Sequence, residues 1–332
     1  MEFWTSFAGQ FVLRGFPLSM TQNYDQLVAT AVEAERLGFH GVVASEHHFE
    51  YNRFLPFPLQ ALAAAAAATS KIRLITGAML LPLYDPIRAA EAAATVDILS
   101  GGRVTLGLGM GYRPMEFDGM GTAKKTRGAR LSEQMEIIRL ATSQDTFSFQ
   151  GKHYEYKNQQ LRPTPLQRPI DMWYCGGTSR IAAQRAAAGA FGYWLANSDY
   201  DRAKEIFNLY HQYGKEAGHS PDKLRVTLFR DVFVGDTLAE ARDARDWFLE
   251  VYYNEHIRCY GYLLDDQGEP LFNPPFDHPA YLAFVSSLLC GTYDMVVTEL
   301  KRFEALGIKS ITVPPTQLEG FSKHVLPEFK QS

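Results

Sequence analysis

Apolar runs and helix-period segments alternate along the whole chain, with no low-complexity linker between them. Short runs rich in β-branched and aromatic residues predict strands at Phe3–Phe7, His40–Ser45, Lys71–Leu81, Arg103–Leu108, Ile170–Tyr174, Phe191–Ala196, Leu224–Val234 and Ser310–Val313. Segments with Ala, Leu and Val at helical spacing lie between them, including Tyr24–Leu37, Leu59–Thr69, Arg127–Ala141, Ser179–Ala188, Asp201–Ala217, Thr237 to about Tyr253, and Gly291–Leu306. Pro86 opens another helix, which Gly101-Gly102 ends. Eight strand–helix units in 332 residues predict one closed (β/α)8 TIM barrel over residues 1–332. A doubly wound open sheet is the competing arrangement. Two stretches break the alternation. Phe147, Phe149, Tyr154 and Tyr156 flank Gln150-Gly151 and predict a small β-hairpin; His256 to Leu289, with Asp265-Asp266, Gly268 and Pro274-Pro275, reads as an irregular insertion.

A barrel concentrates chemistry in the loops after its strands. The second predicted strand runs into Glu46-His47-His48-Phe49, the third holds Gly77-Ala78, the fourth runs into Gly107-Leu-Gly-Met110-Gly111-Tyr112-Arg113-Pro114, and the fifth into Cys175-Gly176-Gly177-Thr178-Ser179-Arg180. Asn197-Ser198-Asp199 and Arg230-Asp231 follow the sixth and seventh. On extended backbone the side chains of His47 and His48 point to opposite sides, so one histidine faces the mouth. The readings are a general base or hydrogen-bond donor, a structural histidine, or a metal ligand, the last poorly served by this spacing. Gly176-Gly177-Thr178-Ser179 has two readings, a phosphate-binding helix start or an ordinary N-cap. The Gly107-x-Gly-x-Gly111 run lacks dinucleotide spacing, and Pro114 argues against a helix starting at once. Phe49, Tyr51, Phe54 and Phe57 either line an apolar substrate pocket or pack the loop.

Bulk properties narrow the field. Net charge is −4 without a basic block, which argues against nucleic acid. No apolar stretch reads as a membrane span, and Met1-Glu2-Phe3-Trp4 lacks a signal-peptide start. Cys175, Cys259 and Cys290 are too sparse for a disulfide framework or a zinc site, so a reducing, cytoplasmic setting is expected.

These strings, with Gly102-Arg103-Val104 and Val325-Leu326-Pro327, resemble the bacterial luciferase-like flavin monooxygenases over nearly the whole chain. The resemblance implies reduced FMN across the top of a (β/α)8 barrel, and His47 as the catalytic residue facing it. It further implies a cis Gly77-Ala78 bond beneath the ring, Met110, Gly111 and Tyr112 beside it, and Gly177, Thr178 and Ser179 at the phosphate. Met110 stands where luciferase itself has a phosphate-binding arginine; Arg180 or Arg113 is the candidate substitute. That departure keeps a deazaflavin coenzyme open, and with it a hydride-transfer enzyme. The expectation is a monooxygenase acting with O2 on a small, apolar organic substrate. It is supplied by a separate flavin reductase, paired as a homodimer, and lidded by the late insertion. A flavin-binding protein without turnover and a metal hydrolase using Glu46 and the histidines are the remaining alternatives.

Overall fold

The computed structural model describes residues 1–7, 12–13, 16–17, 20–49, 55–196, 198–250, 253–254, 258–265, 269–313 and 318–329. Tyr51, Phe54, Asn197 and His256 lie outside the described residues, as do Asp266 and Gly268.

Eight parallel strands close into a barrel: β1 (Glu2–Ser6), β2 (Gly41–Ala44), β3 (Arg73–Leu80), β4 (Val104–Gly109), β5 (Asp171–Cys175), β6 (Gly192–Leu195), β7 (Val226–Leu228) and β8 (Ile308–Val313). Each pairs with its sequence neighbours, and β1 closes the ring between β2 and β8. Helices α1 (Met20–Arg36), α2 (Pro58–Ala68), α3 (Pro86–Ser100), α4 (Pro114–Gly119), α5 (Arg127–Ser143), α6 (Arg180–Ala188) and α7 (Tyr200–Glu216) follow the first six strands. Alanine lets them approach closely: Ala89, Ala90, Ala93 and Ala94 of α3 are buried. Asp85 caps α3 by accepting from the Ile87 and Arg88 amides, and Gly101 ends it in a left-handed conformation. The hairpin forms from Phe147–Gln150 and Glu155–Gln159, with its turn held by Glu133, which accepts from the Lys152, His153 and Tyr154 amides.

The seventh unit differs from the sequence expectation. Leu224–Val234 is not one strand. After β7 the chain turns Phe229 against the barrel's inner cluster and buries Arg230, whose Nε donates to the Ser287 carbonyl at 2.7 Å. It resumes as Val232–Gly235, paired in parallel with Leu289–Thr292 outside the barrel. The insertion is also less irregular than expected. It contains α9, Pro279–Ser287, which starts on Pro279 with the His278 side chain capping it. Between these lies α8 (Leu238–Phe248), opened by a capping box of Thr237 and Glu240; α10 (Tyr293–Leu306) and α11 (Leu318–His324) complete the chain.

At β3 the register against β4 slips between Thr76 and Met79, and the Gly77-Ala78 bond is cis, as the resemblance implied. Gly107 on β4 makes room for this bulge. A Cβ there would overlap the Thr76 carbonyl oxygen and come within 2.8 Å of the Trp194 ring. Neither neighbour is a flexible side-chain end. Gly107→Ala is therefore expected to lower stability by about 1–3 kcal/mol, read as an earlier urea midpoint; an unchanged midpoint contradicts this account.

Candidate active site at the barrel mouth

Glu46, His47 and His48 lie just past β2, and the two histidine side chains find different partners, as the spacing predicts. The His48 ring turns to Glu46, with Nε2 to Oε1 at 2.8 Å. The other oxygen of Glu46 accepts the Leu80 amide at 3.2 Å, at the end of the bulged strand. This pair is a buried brace between β2 and β3. Burial pushes the Glu46 carboxyl above the usual carboxylate range, and the bonded His48 opposes the shift. The Tyr84 phenol, pushed up by burial and by that carboxylate, reaches the same group.

His47 turns the opposite way. Its Nδ1 lies 2.9 Å from Oε1 of Glu116, an oxygen that also accepts the His48 backbone amide at 3.1 Å. Glu116 is fully buried, and its Oε2 has no hydrogen-bond partner among the described residues. The carboxylate arrives on α4, which the sequence reading did not expect. Pro114 opens that helix rather than preventing it, because a first-turn residue needs no amide hydrogen. Glu116 was legible only as the third helical position after Arg113. Arg113 is itself buried 3.8 Å from this carboxylate and contacts the Met115 sulfur. It points to Glu116 and does not supply the charge that Met110 lacks.

The wall beside His47 is aromatic. Tyr112 meets the imidazole edge-on with centroids 5.9 Å apart, and Tyr262 meets Tyr112 at 6.3 Å. Tyr262 belongs to the late segment, which Lys124 also fastens through Glu269 at 3.1 Å. Burial, reinforced by the Asp231 charge, pushes the Tyr262 phenol up. Phe49 and Phe57 are half exposed. Met110 packs its side chain against the main core, while Gly111 carries its carbonyl to Arg127.

The turn after β5 forms the N-cap of α6. Ser179 caps α6 through the Ala182 amide at 3.3 Å. Gly177 adopts φ +57°, and Tyr193 donates to the Gly177 and Ser179 carbonyls, which fixes the turn from below. Arg202 donates to the Thr178 carbonyl at 3.0 Å. Arg180 is 63% exposed and ion-paired to Glu205, so it is engaged on the surface. Two other cations lie on the helices α5 and α6, which follow β4 and β5. Arg127 donates to the Gly111 and Lys124 carbonyls, and the Arg185 guanidinium lies against Gly128. Neither makes a carboxylate ion pair of its own among the described residues. Burial pushes the Arg127 guanidinium down; the Glu269 carboxylate opposes that shift and Arg185 adds to it. Sequence reading missed both because they sit inside helices rather than in the loops. No group of three or more His, Cys, Asp or Glu among the described residues is arranged to hold a metal ion.

The model of the luciferase-like monooxygenase family matches residues 6–310. The chain belongs to that family. It is 25% identical over 335 residues to the oxygenase component of flavin-dependent trigonelline monooxygenase from Acinetobacter baylyi, covering 94% of this chain and 91% of that protein. It is 34% identical over 234 residues to F420-dependent hydroxymycolic acid dehydrogenase from Mycobacterium tuberculosis, covering 67% of this chain and 63% of that protein. Against two uncharacterised proteins of Sinorhizobium fredii, 30% and 36% identical, the match spans 65% and 51% of their lengths. In fold, this luciferase-like chain superposes on the oxygenating constituent of 3,6-diketocamphane monooxygenase from Pseudomonas putida, solved with FMN, with a TM-score of 0.77. That likeness covers 100% of this chain and 99% of the other at 24% identity.

Glu116→Ala strips the acceptor from the buried His48 amide and from His47 together. It is expected to cost about 1–3 kcal/mol of stability, the penalty of a buried donor left unpaired. Urea unfolding measures it, and wild-type stability would show that the carboxylate is not the tether of this loop.

Proposed function

We propose that this luciferase-like protein is a monooxygenase that uses externally reduced FMN and O2 to oxygenate a small, apolar organic molecule. The observation that carries the reading is a convergence at one rim: an imidazole held by a buried carboxylate, the Gly77-Ala78 bulge, and the Gly177–Ser179 turn. Those residues suit a phosphorylated flavin. Gly77, Ala78, Gly111 and Tyr112 would flank the ring, with Met110 contributing backbone. Gly177, Thr178 and Ser179 would hold the phosphate, with Arg127 and Arg185 supplying charge in place of the exposed Arg180.

When bound, reduced flavin supplies the electrons that activate oxygen. The chain's own residues do the rest. Glu116 holds Nδ1 of His47 and fixes the ring's tautomer, so Nε2 is the atom that gives or takes a proton at the mouth. Tyr112 and Tyr262 exclude water from that space and offer an apolar face to substrate. A separate reductase in the cytoplasm would deliver the cofactor, and a homodimer would form through the helices flanking the barrel.

A second reading, deazaflavin-dependent hydride transfer, is favoured by one feature: a buried carboxylate on His47 forms a proton relay that needs no oxygen. An anaerobic titration with reduced FMN and with reduced deazaflavin separates the two. Tight uptake of reduced FMN, followed by oxygen consumption on admitting air, is expected; selective uptake of the deazaflavin would overturn the first reading. His47→Ala should lower turnover by about 10²–10⁴-fold while leaving cofactor uptake intact, and full activity in that variant would remove the catalytic role. Binding without turnover on any substrate would leave a flavin carrier.

A further inference from the structure

Three of the chain's four tryptophans stand inside the barrel: Trp4 on β1, Trp173 on β5 and Trp194 on β6. Barrel interiors are ordinarily filled by branched aliphatic side chains; here Val43 and Ile75 only fill in around the indoles. The rings meet in series. Trp194 lies 5.3 Å from Trp4 at 69°, and Trp4 lies 6.1 Å from Trp173 at 87°. All three are almost wholly buried.

The ends of the series differ chemically. The six-membered edge of Trp194 sits directly under Gly77 and Gly107, against the bulge at the mouth. Its indole N–H is buried with no acceptor among the described residues. Trp4 donates its N–H to the Glu2 carboxylate at 3.1 Å, and Trp173 donates to Asp171 at 3.0 Å. Glu2 and Asp171 are the first residues of their strands, so both carboxylates lie at the floor, opposite the mouth. A carboxylate on an indole N–H stabilises the oxidised ring and is placed to take its proton, whereas a buried indole without an acceptor holds positive charge poorly. Asp171 is already neutralised by Arg73 and Arg225, and the Arg225 guanidinium lies 4.7 Å over the Trp173 ring. Positive charge is therefore least favoured at Trp194 and at Trp173, and most favoured at Trp4.

We propose that Trp194 and Trp4 form an electron-transfer path that carries oxidising equivalents from the mouth to the barrel floor. An oxygen-centred radical of the hydroxyl class, formed at the mouth, takes an electron from Trp194 and is reduced to hydroxide. Trp4 refills Trp194. The Trp4 N–H bond breaks as its proton passes to the Glu2 carboxylate, leaving a neutral indolyl radical. A reductant of the ascorbate class returns the electron, and Glu2 returns the proton. The path drains oxidation that misfires beside His47 and Tyr112 before it damages them. The identity of its natural oxidant rests on the oxygenase reading; the path itself does not.

A test that needs no flavin attaches a ruthenium polypyridyl photo-oxidant to Phe49→Cys at the mouth and follows radicals by transient absorption and electron spin resonance. Long-lived neutral indolyl radical is expected. Trp194→Phe should cut its yield, because the first acceptor of oxidising equivalents in the series is gone, and Trp4→Phe should cut its lifetime at least about tenfold, the scale of losing one hydrogen bond to a charged group. Glu2→Gln, a change at a part-exposed carboxylate, should convert the signal to the short-lived cation. Trp247→Phe, outside the barrel, should change nothing. Equal yields and lifetimes across the Trp194, Trp4 and Glu2 variants, or loss of the radical in Trp247→Phe, would overturn the path. Failure of the protein to take up FMN would count against the oxygenase reading alone.

Discussion

One carboxylate oxygen organises the mouth. Oε1 of Glu116 accepts a backbone amide and meets an imidazole nitrogen within 3.1 Å, so the position of α4 and the path of the loop after β2 are set together. The described loop residues after Ala44 form neither strand nor helix, the His47 amide donating to the Leu55 carbonyl at 3.0 Å, and α4 is only six residues long. A short helix is marginal in isolation, and here it is stabilised by the bond it supplies. The imidazole is consequently fixed by a contact between two separate strand–helix units.

The same logic runs one layer down. Glu46 bonds His48 and the Leu80 amide, so the loop after β2 also clasps the end of the bulged strand. The bulge then needs small neighbours. Gly107 yields to the Thr76 carbonyl, and the Trp194 ring fills the space that both Gly77 and Gly107 leave. Glycine and tryptophan are thus complementary: the absent Cβ atoms make the flat surface against which the indole packs. Conformation at the rim and packing inside the barrel are consequences of one another.

Much of this was legible in the residues, for reasons that differ by element. The barrel followed from alternation, since strand and helix periods are local properties. The divergence of His47 and His48 followed from the two-residue repeat of extended chain. Glu116 did not follow, because its partner is 69 residues away and its helix is too short to carry a periodic signal. Arg127 and Arg185 were hidden for a related reason: helical arginines that bond backbone carbonyls or pack on a glycine look like ordinary solvated charge. Arg180, adjacent to the glycine turn, had the better sequence position but found Glu205 in space. The seventh strand was misread as continuous because Phe229 to Asp231 keep an extended, apolar-flanked pattern while their side chains leave the sheet.

That break at the seventh strand is what completes the site. By leaving the barrel after Leu228, the chain makes a second, two-stranded sheet on which α8 and α9 gather an aromatic cluster of Phe233, Phe248, Tyr253 and Phe284. Tyr262 spans that cluster and the mouth, touching Phe284 on one side and Tyr112 on the other. The Tyr262 side of the wall therefore stands on an apolar footing outside the barrel, while Tyr112 stands on the loop after β4. A scaffold built this way holds the imidazole and the glycine turns on the barrel while one side of the mouth is supplied from outside it.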